Sequence, residues 1–206
     1  MHSTHSATIT TKAAIPPSPT AQDHVFIDGS NLFIEGMRLS SHLRAGDRTA
    51  PVYAHQEFDM DFRIDLRRLH GFLGCVGSPV RPLLVGSHSE NSDLVFESAS
   101  SCGYETIVYD RDMSNREKKV DATIILFAVL AALDGTPETT RITLVAGDSD
   151  YVPMVKALRQ RRYRVEVAFW SHGSRELREA ADRFIPLDPM IELLRYIPVA
   201  RRPAVA

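Results

Sequence analysis

Cysteine is scarce in this 206-residue chain: Cys75 and Cys102 are the only two, and they form neither a CxxC pair nor a disulfide framework. A reducing cytoplasm is the expected home of such a chain. Charge of one sign is lacking as well. A formal net charge of -2 excludes a generally basic nucleic-acid coat, so any site for a polyanion must be local. No secretory apolar segment opens the sequence, and its longest apolar run, Ala122 to Leu133, is too short for a bilayer and reads as a core helix. GxSxG, HExxH and P-loop patterns are absent. Without them, Ser87-His88-Ser89 and Ser171-His172 read as surface-loop residues.

What is present fits one domain with a full core: 44% of residues are hydrophobic and 24% charged. Residues 1–22 are rich in Ser, Thr, Ala and Pro and read as a disordered arm, its His2 and His5 solvated. The domain is expected over 23–197, followed by a frayed tail, 198–206. Within the domain, short apolar runs alternate with helical patterns. Strands are expected at 24–28, 81–86, 104–109, 142–146, 164–170 and 183–185. A helix is expected to open at Leu32-Phe33-Ile34, and others at 61–73, 92–102, from about 115 to 133, 152–161, 174–181 and 189–196. This alternation predicts an α/β fold with a mainly parallel sheet and right-handed crossovers. Between Arg38 and Phe58 little regular pattern is visible, so a long connection serving as a lid or an interface is expected there.

The chemistry concentrates at the ends of two apolar runs. Ile142 to Ala146 halts at Gly147 and delivers Asp148-Ser149-Asp150, and His24 to Ile27 delivers Asp28 before Gly29-Ser30-Asn31. Ligands in open α/β sheets sit beyond the carboxyl ends of the strands, and carboxylates there supply oxygen donors for a hard cation. Each feature also has a plainer reading. GDSD is an ordinary turn sequence, Asp28 a helix cap, and Asn31 either a cap or an amide that orients a carboxylate or phosphate. Asp121 is more telling, because its neighbours at i+3, i+4 and i+7 are Ile124, Ile125 and Ala128. A lone carboxylate on such a face costs several kcal/mol to bury unless paired or bound to metal; otherwise it is a first-turn acid favoured by the helix dipole.

With the first strand central and the chain winding outward both ways, Asp28, Asp121, Asp148 and Asp150 converge. Such an all-oxygen set suits Mg²⁺ or Mn²⁺, and metal-assisted phosphodiester hydrolysis is the reaction it implies. Arg116, Lys118 and Lys119 precede Asp121, and Arg159, Arg161, Arg162 and Arg164 bracket the turn after the GDSD helix. These cations hold a sugar-phosphate backbone or serve as solvated helix ends. Trp170, the only tryptophan, stacks a base or fills the core.

Five stretches together, VFIDGSNL (25–32), KKVDATI (118–124), TLVAGDSDYVPMVKALR (143–159), VEVAFW (165–170) and SRELREAADRFIPL (174–187), resemble the NYN domain family, PIN-like proteins that include the LabA and DUF88 groups. The resemblance implies a three-layer PIN-like, Rossmann-like sandwich, its central sheet flanked by helices, and metal-dependent ribonuclease activity. It also implies Asp28, Asp121, Asp148 and Asp150 as metal-site acids and Asn31 as an orienting residue. Lys118, Lys119, Arg116 and Ser149 would then lie on the substrate side. RNA, single-stranded or structured, is the implied partner. A non-cleaving RNA-binding module on the same acidic fold is the rival, a phosphohydrolase of small esters a third reading, and self-association is left open.

Overall fold

The computed structural model describes residues 22–46, 51–54, 57–74, 81–87, 93–109 and 116–197. The expected arm up to residue 21, the tail from 198, Cys75 and the His88-Ser89 pair lie outside them. Six strands are described: β1 Gln22–Asp28, β2 Leu83–Ser87, β3 Glu105–Tyr109, β4 Thr140–Val145, β5 Arg164–Phe169 and β6 Arg183–Pro186. They form one sheet in the order β3-β2-β1-β4-β5-β6, every pair parallel. β1 is therefore central, and the chain winds outward from it in both directions.

Helices cover both faces. On one side lie α1 Gly29–Ala45, α2 Leu66–Phe72, α3 Asp93–Ser101 and α7 Ile191–Leu194, packed over a core that includes Ile27, Leu32, Phe62, Leu69, Leu84 and Trp170. On the other lie α4 Arg116–Asp134, α5 Val152–Gln160 and α6 Arg175–Ala180, over Phe26, Ile124, Leu144, Tyr151, Val155 and Val167. The alternation of Phe26 and Ile27, or Leu144 and Val145, between the two cores is the period-2 pattern of a strand buried on both faces. The molecule is a three-layer α/β sandwich. Among the described residues, no helix is long and apolar enough to cross a membrane.

Two expectations change. α1 continues to Ala45 and, among the described residues, a 3-10 turn follows at Val52–Ala54, so the first part of the supposed long connection is helix. Gly36, Ser40 and His42 look like helix-weakening residues, yet all three are buried. Gly36 lets Phe62 and Trp170 approach so closely that a Cβ would sit 2.9 Å from the one ring and 3.0 Å from the other. Ser40 donates to Asp59 at 2.6 Å. Tertiary contacts thus override local propensity. Likewise α4, apolar nearly all round, is buried along one side only; Leu126, Phe127, Leu130 and Leu133 are exposed.

Candidate active site at the carboxyl end of the sheet

The register of β1 on β4 pairs Ile27 with Val145, so Asp28 leaves the sheet level with Ala146, one residue before Gly147. This is the topological switch point, where the connections of neighbouring strands diverge to opposite faces and leave a crevice. Asp28 is also the cap of α1: its Oδ1 accepts from the Asn31 N–H at 3.0 Å. The plainer reading of Asp28 is therefore correct, but it accounts for one oxygen only.

The other oxygen, Oδ2, accepts from the Tyr151 hydroxyl at 3.0 Å, and the same hydroxyl lies 2.8 Å from Oδ1 of Asp121. Tyr151 is fully buried and Asp28 only 4% exposed. A phenol carries one proton, so it cannot donate fully to two carboxylates at once. Burial first, then the charges of Asp121 and Asp148, push the Asp28 carboxyl up to about 6, against the lowering effect of the Asn31 N–H and the Tyr151 hydroxyl. Burial, then the charges of Asp28 and Asp121, push the Tyr151 phenol well above its ordinary range, so it acts as a donor.

Gly147 connects β4 to this corner. A Cβ there would overlap the Phe169 ring, so only glycine lets the chain turn against that side chain. Its N–H donates to Asn31 Oδ1 at 2.8 Å, and its carbonyl accepts from the Ser174 N–H at 2.8 Å. Asn31 thus ties the two strand ends together. Asp148 then caps a 3-10 turn, Ser149–Tyr151, accepting from the Asp150 N–H at 3.0 Å. The turn points Asp148, Ser149 and Asp150 to solvent and Tyr151 into the core.

The structure therefore joins Asp28, Asp121 and Asn31 directly, and Asp148 electrostatically, while Asp150 stands on the exposed rim. Among the described residues, no group of three or more acidic, histidine or cysteine side chains is gathered closely enough to hold a metal ion. The donor set nevertheless has the chemistry of a hard-cation site. Oxygen is the only ligand atom offered, and the mutual repulsion recorded at Asp28 is what a cation would relieve.

Of the cations, Lys119 is exposed, with its ammonium 6.0 Å from the centre of the Tyr109 ring at the end of β3. The side chains of Arg116 and Lys118 lie outside the described residues. Arg159, Arg162 and Arg164 do not rim the acids. With Tyr163, Asp182 and Arg183 they line a groove where α5 ends and β5 and β6 begin, at the opposite end of the sheet. Arg159 there binds Asp182 at 2.7 Å and Arg164 binds Glu166 at 2.8 Å. The helix-end reading suits them. Trp170 is core, fully buried, its indole N–H donating to the Leu32 carbonyl at 3.0 Å. His172, expected at the surface, is instead held beneath it, its side chain 8% exposed and its Nε2 2.9 Å from Glu35.

Tyr151 and His172 are the residues that sequence reasoning missed. Tyr151 stands in plain view as the hydroxyl-bearing aromatic after GDSD, but nothing local in the sequence points to its partners, Asp28 at the end of β1 and Asp121 in α4.

The NYN domain model matches residues 24–188. Among solved structures, a protein of unknown function from Vibrio parahaemolyticus is similar at 16% identity with a TM-score of 0.59, over 84% of this chain and 96% of that one. That likeness bears on the fold alone. No curated protein matches the chain significantly. Sheet order, switch-point acids and the match across nearly all of the described core lead to one conclusion: the chain belongs to the NYN domain family, within the PIN-like superfamily.

Proposed function

We propose that the carboxyl end of the sheet hydrolyses RNA phosphodiester bonds with the help of Mg²⁺ or Mn²⁺. The observation that carries the reading is the Asp28–Tyr151–Asp121 bridge, two carboxylates on one phenol at the switch point, with Asp148 close enough to raise the Asp28 pKa. Membership of a generally nuclease-like family supports it.

Asp28, Asp121 and Asp148 would hold the cation, with Asp150 adding negative charge at the rim. A divalent ion held by such acids neutralises phosphate charge and lowers the pKa of a bound water. Each residue has a separate task. Asn31 fixes Gly147 and hence where Asp148 leaves the strand. Tyr151 keeps Asp28 and Asp121 aimed at one point. Lys119, and Arg116 and Lys118 before it, supply positive charge for the phosphates of the strand.

The test is incubation of the protein and its Asp148→Asn variant with labelled RNA oligonucleotides in Mn²⁺, Mg²⁺ or chelator. Cleavage that needs both the ion and the aspartate supports the proposal. RNA retention by both proteins with no metal-dependent product replaces it with a non-cleaving binding module. Turnover of a small phosphate ester alone replaces it with a phosphohydrolase.

A further inference from the structure

Beside the acids stands a cluster that the proposed hydrolysis does not use. Arg38, on the face of α1 toward the 3-10 turn, is held by Glu35 at 3.2 Å. Its guanidinium lies 5.1 Å from the centre of the Tyr53 ring and 4.7 Å from that of Phe58. Both aromatics remain exposed, Tyr53 at 52% and Phe58 at 38%. The Tyr53 ring meets the His172 ring edge-on at 5.3 Å, and its hydroxyl leans toward the His172 carbonyl at 3.4 Å. His172 in turn is pinned by Glu35, and its other ring nitrogen, Nδ1, is buried without a partner.

This cluster adjoins the carboxylates. Ser174, two residues beyond His172, donates to Gly147, and Asp148 is near enough for its charge to act on Tyr53. A purely structural role, fastening the 3-10 turn to α1, explains the Arg38 contacts. It does not explain a tyrosine that is braced by a cation, edged by a buried histidine and still more than half open to solvent.

We infer that Tyr53, braced by Arg38, is a stacking platform for one unpaired base of an RNA strand whose phosphate lies at the neighbouring acids. Every base has a π-face, so an aromatic platform binds single strands with little sequence preference, and a guanidinium on the same stack adds a cation–π contribution. Only an unstacked base can use it, so duplex RNA is excluded. The part-buried Glu35–His172 pair sets the position of the ring. The inference rests on RNA being the substrate, but not on the strand being cut.

The experiment measures affinity in chelator, where nothing is cleaved. A single-stranded RNA oligonucleotide is compared with a series carrying one abasic nucleotide walked along it, against the wild-type protein, Tyr53→Ala and Tyr53→Phe. A 2-aminopurine at the sensitive position reports stacking. Loss of one base stack is expected to weaken binding about 5- to 100-fold. Wild type should show this loss at one abasic position and quench 2-aminopurine there. Tyr53→Ala should bind the intact strand as weakly as wild type binds the abasic one, with no further abasic penalty, while Tyr53→Phe behaves as wild type. An abasic penalty that persists in Tyr53→Ala, or intact-strand binding within about twofold of wild type, overturns the platform alone and leaves the nuclease reading standing. A Tyr53-dependent stack in a protein that cuts nothing in any divalent ion overturns hydrolysis alone. Failure of the wild-type protein to bind RNA overturns both.

Discussion

At the residue scale, one phenol oxygen governs the proposed site. Tyr151 is the hydrogen-bonding neighbour shared by Asp28 and Asp121, and it is sealed in the core with Asp28, while Asp121 is half-buried. Tyr151→Phe leaves one well-buried carboxyl short of a donor. It should cost about 1–3 kcal/mol of stability at neutral pH, read from urea unfolding. Asp28 carries the opposite sign. Its carboxyl is raised to about 6, so the ionised form is penalised in the fold. The group favours folding below the ordinary carboxylate pKa, and that contribution is lost as pH rises through about 6. Asp28→Asn keeps an acceptor for Asn31 without the charge. It should therefore stabilise the protein by about 1–3 kcal/mol at pH 7, with the gain shrinking between pH 6 and 4 while catalysis disappears. A variant no more stable than wild type at pH 7 would contradict the strain attributed to this corner. Asp28 and Asp148 were legible in the sequence because each stands beside a glycine at the end of an apolar run, and Asn31 because it closes the Gly29-Ser30-Asn31 turn after the first of them. The Tyr151 bridge was not, since its partners lie 123 and 30 residues away.

At the element scale, α1 serves both layers of the account. Its first turn holds the site, and its second half is tied to the loop before α2 and to the end of α7 through Asp59. That carboxylate accepts from Ser40 at 2.6 Å, Arg44 at 2.9 Å and Arg195 at 3.3 Å. Burial would raise its pKa, but Ser40, Arg195, the Asp61 N–H and Arg44 outweigh it and hold the carboxyl below its usual range. Its stabilisation is present above the ordinary carboxylate pKa and is lost on acidification. Asp59→Ala leaves the buried Ser40 hydroxyl without this acceptor and should cost about 1–3 kcal/mol at pH 7, and less as the pH falls below the ordinary carboxylate range, in unfolding measured on both sides of that range. The helix was only half legible. Gly36, Ser40 and His42 lower local propensity, and what compensates them, Phe62, Trp170 and Asp59, comes from distant segments.

At the scale of the whole molecule, the alternation of short apolar runs with helical patterns was enough to predict a parallel sheet with right-handed crossovers, whereas β1 at the centre with β4 beside it was only assumed from the sequence and is fixed by the sheet order. The fold then delivers acids from β1, α4 and the β4 loop to one crevice while leaving the arginines after α5 at the other end. If those acids hold a cation, ligand binding to the folded state alone must raise its stability. Saturating Mn²⁺, at about 100 times its Kd, should add about 2.7 kcal/mol in wild type, read as a rise in Tm, and little in Asp121→Asn. An equal rise in both proteins would place any bound ion elsewhere.

The most direct test of the account follows RNA cleavage against Mn²⁺ concentration for wild type and Asp121→Asn, with folding of both checked in the same samples. The acids at the switch point predict product that rises with the ion in wild type, vanishes with chelator and is absent from the folded variant. Cleavage by folded Asp121→Asn at the wild-type rate would contradict it.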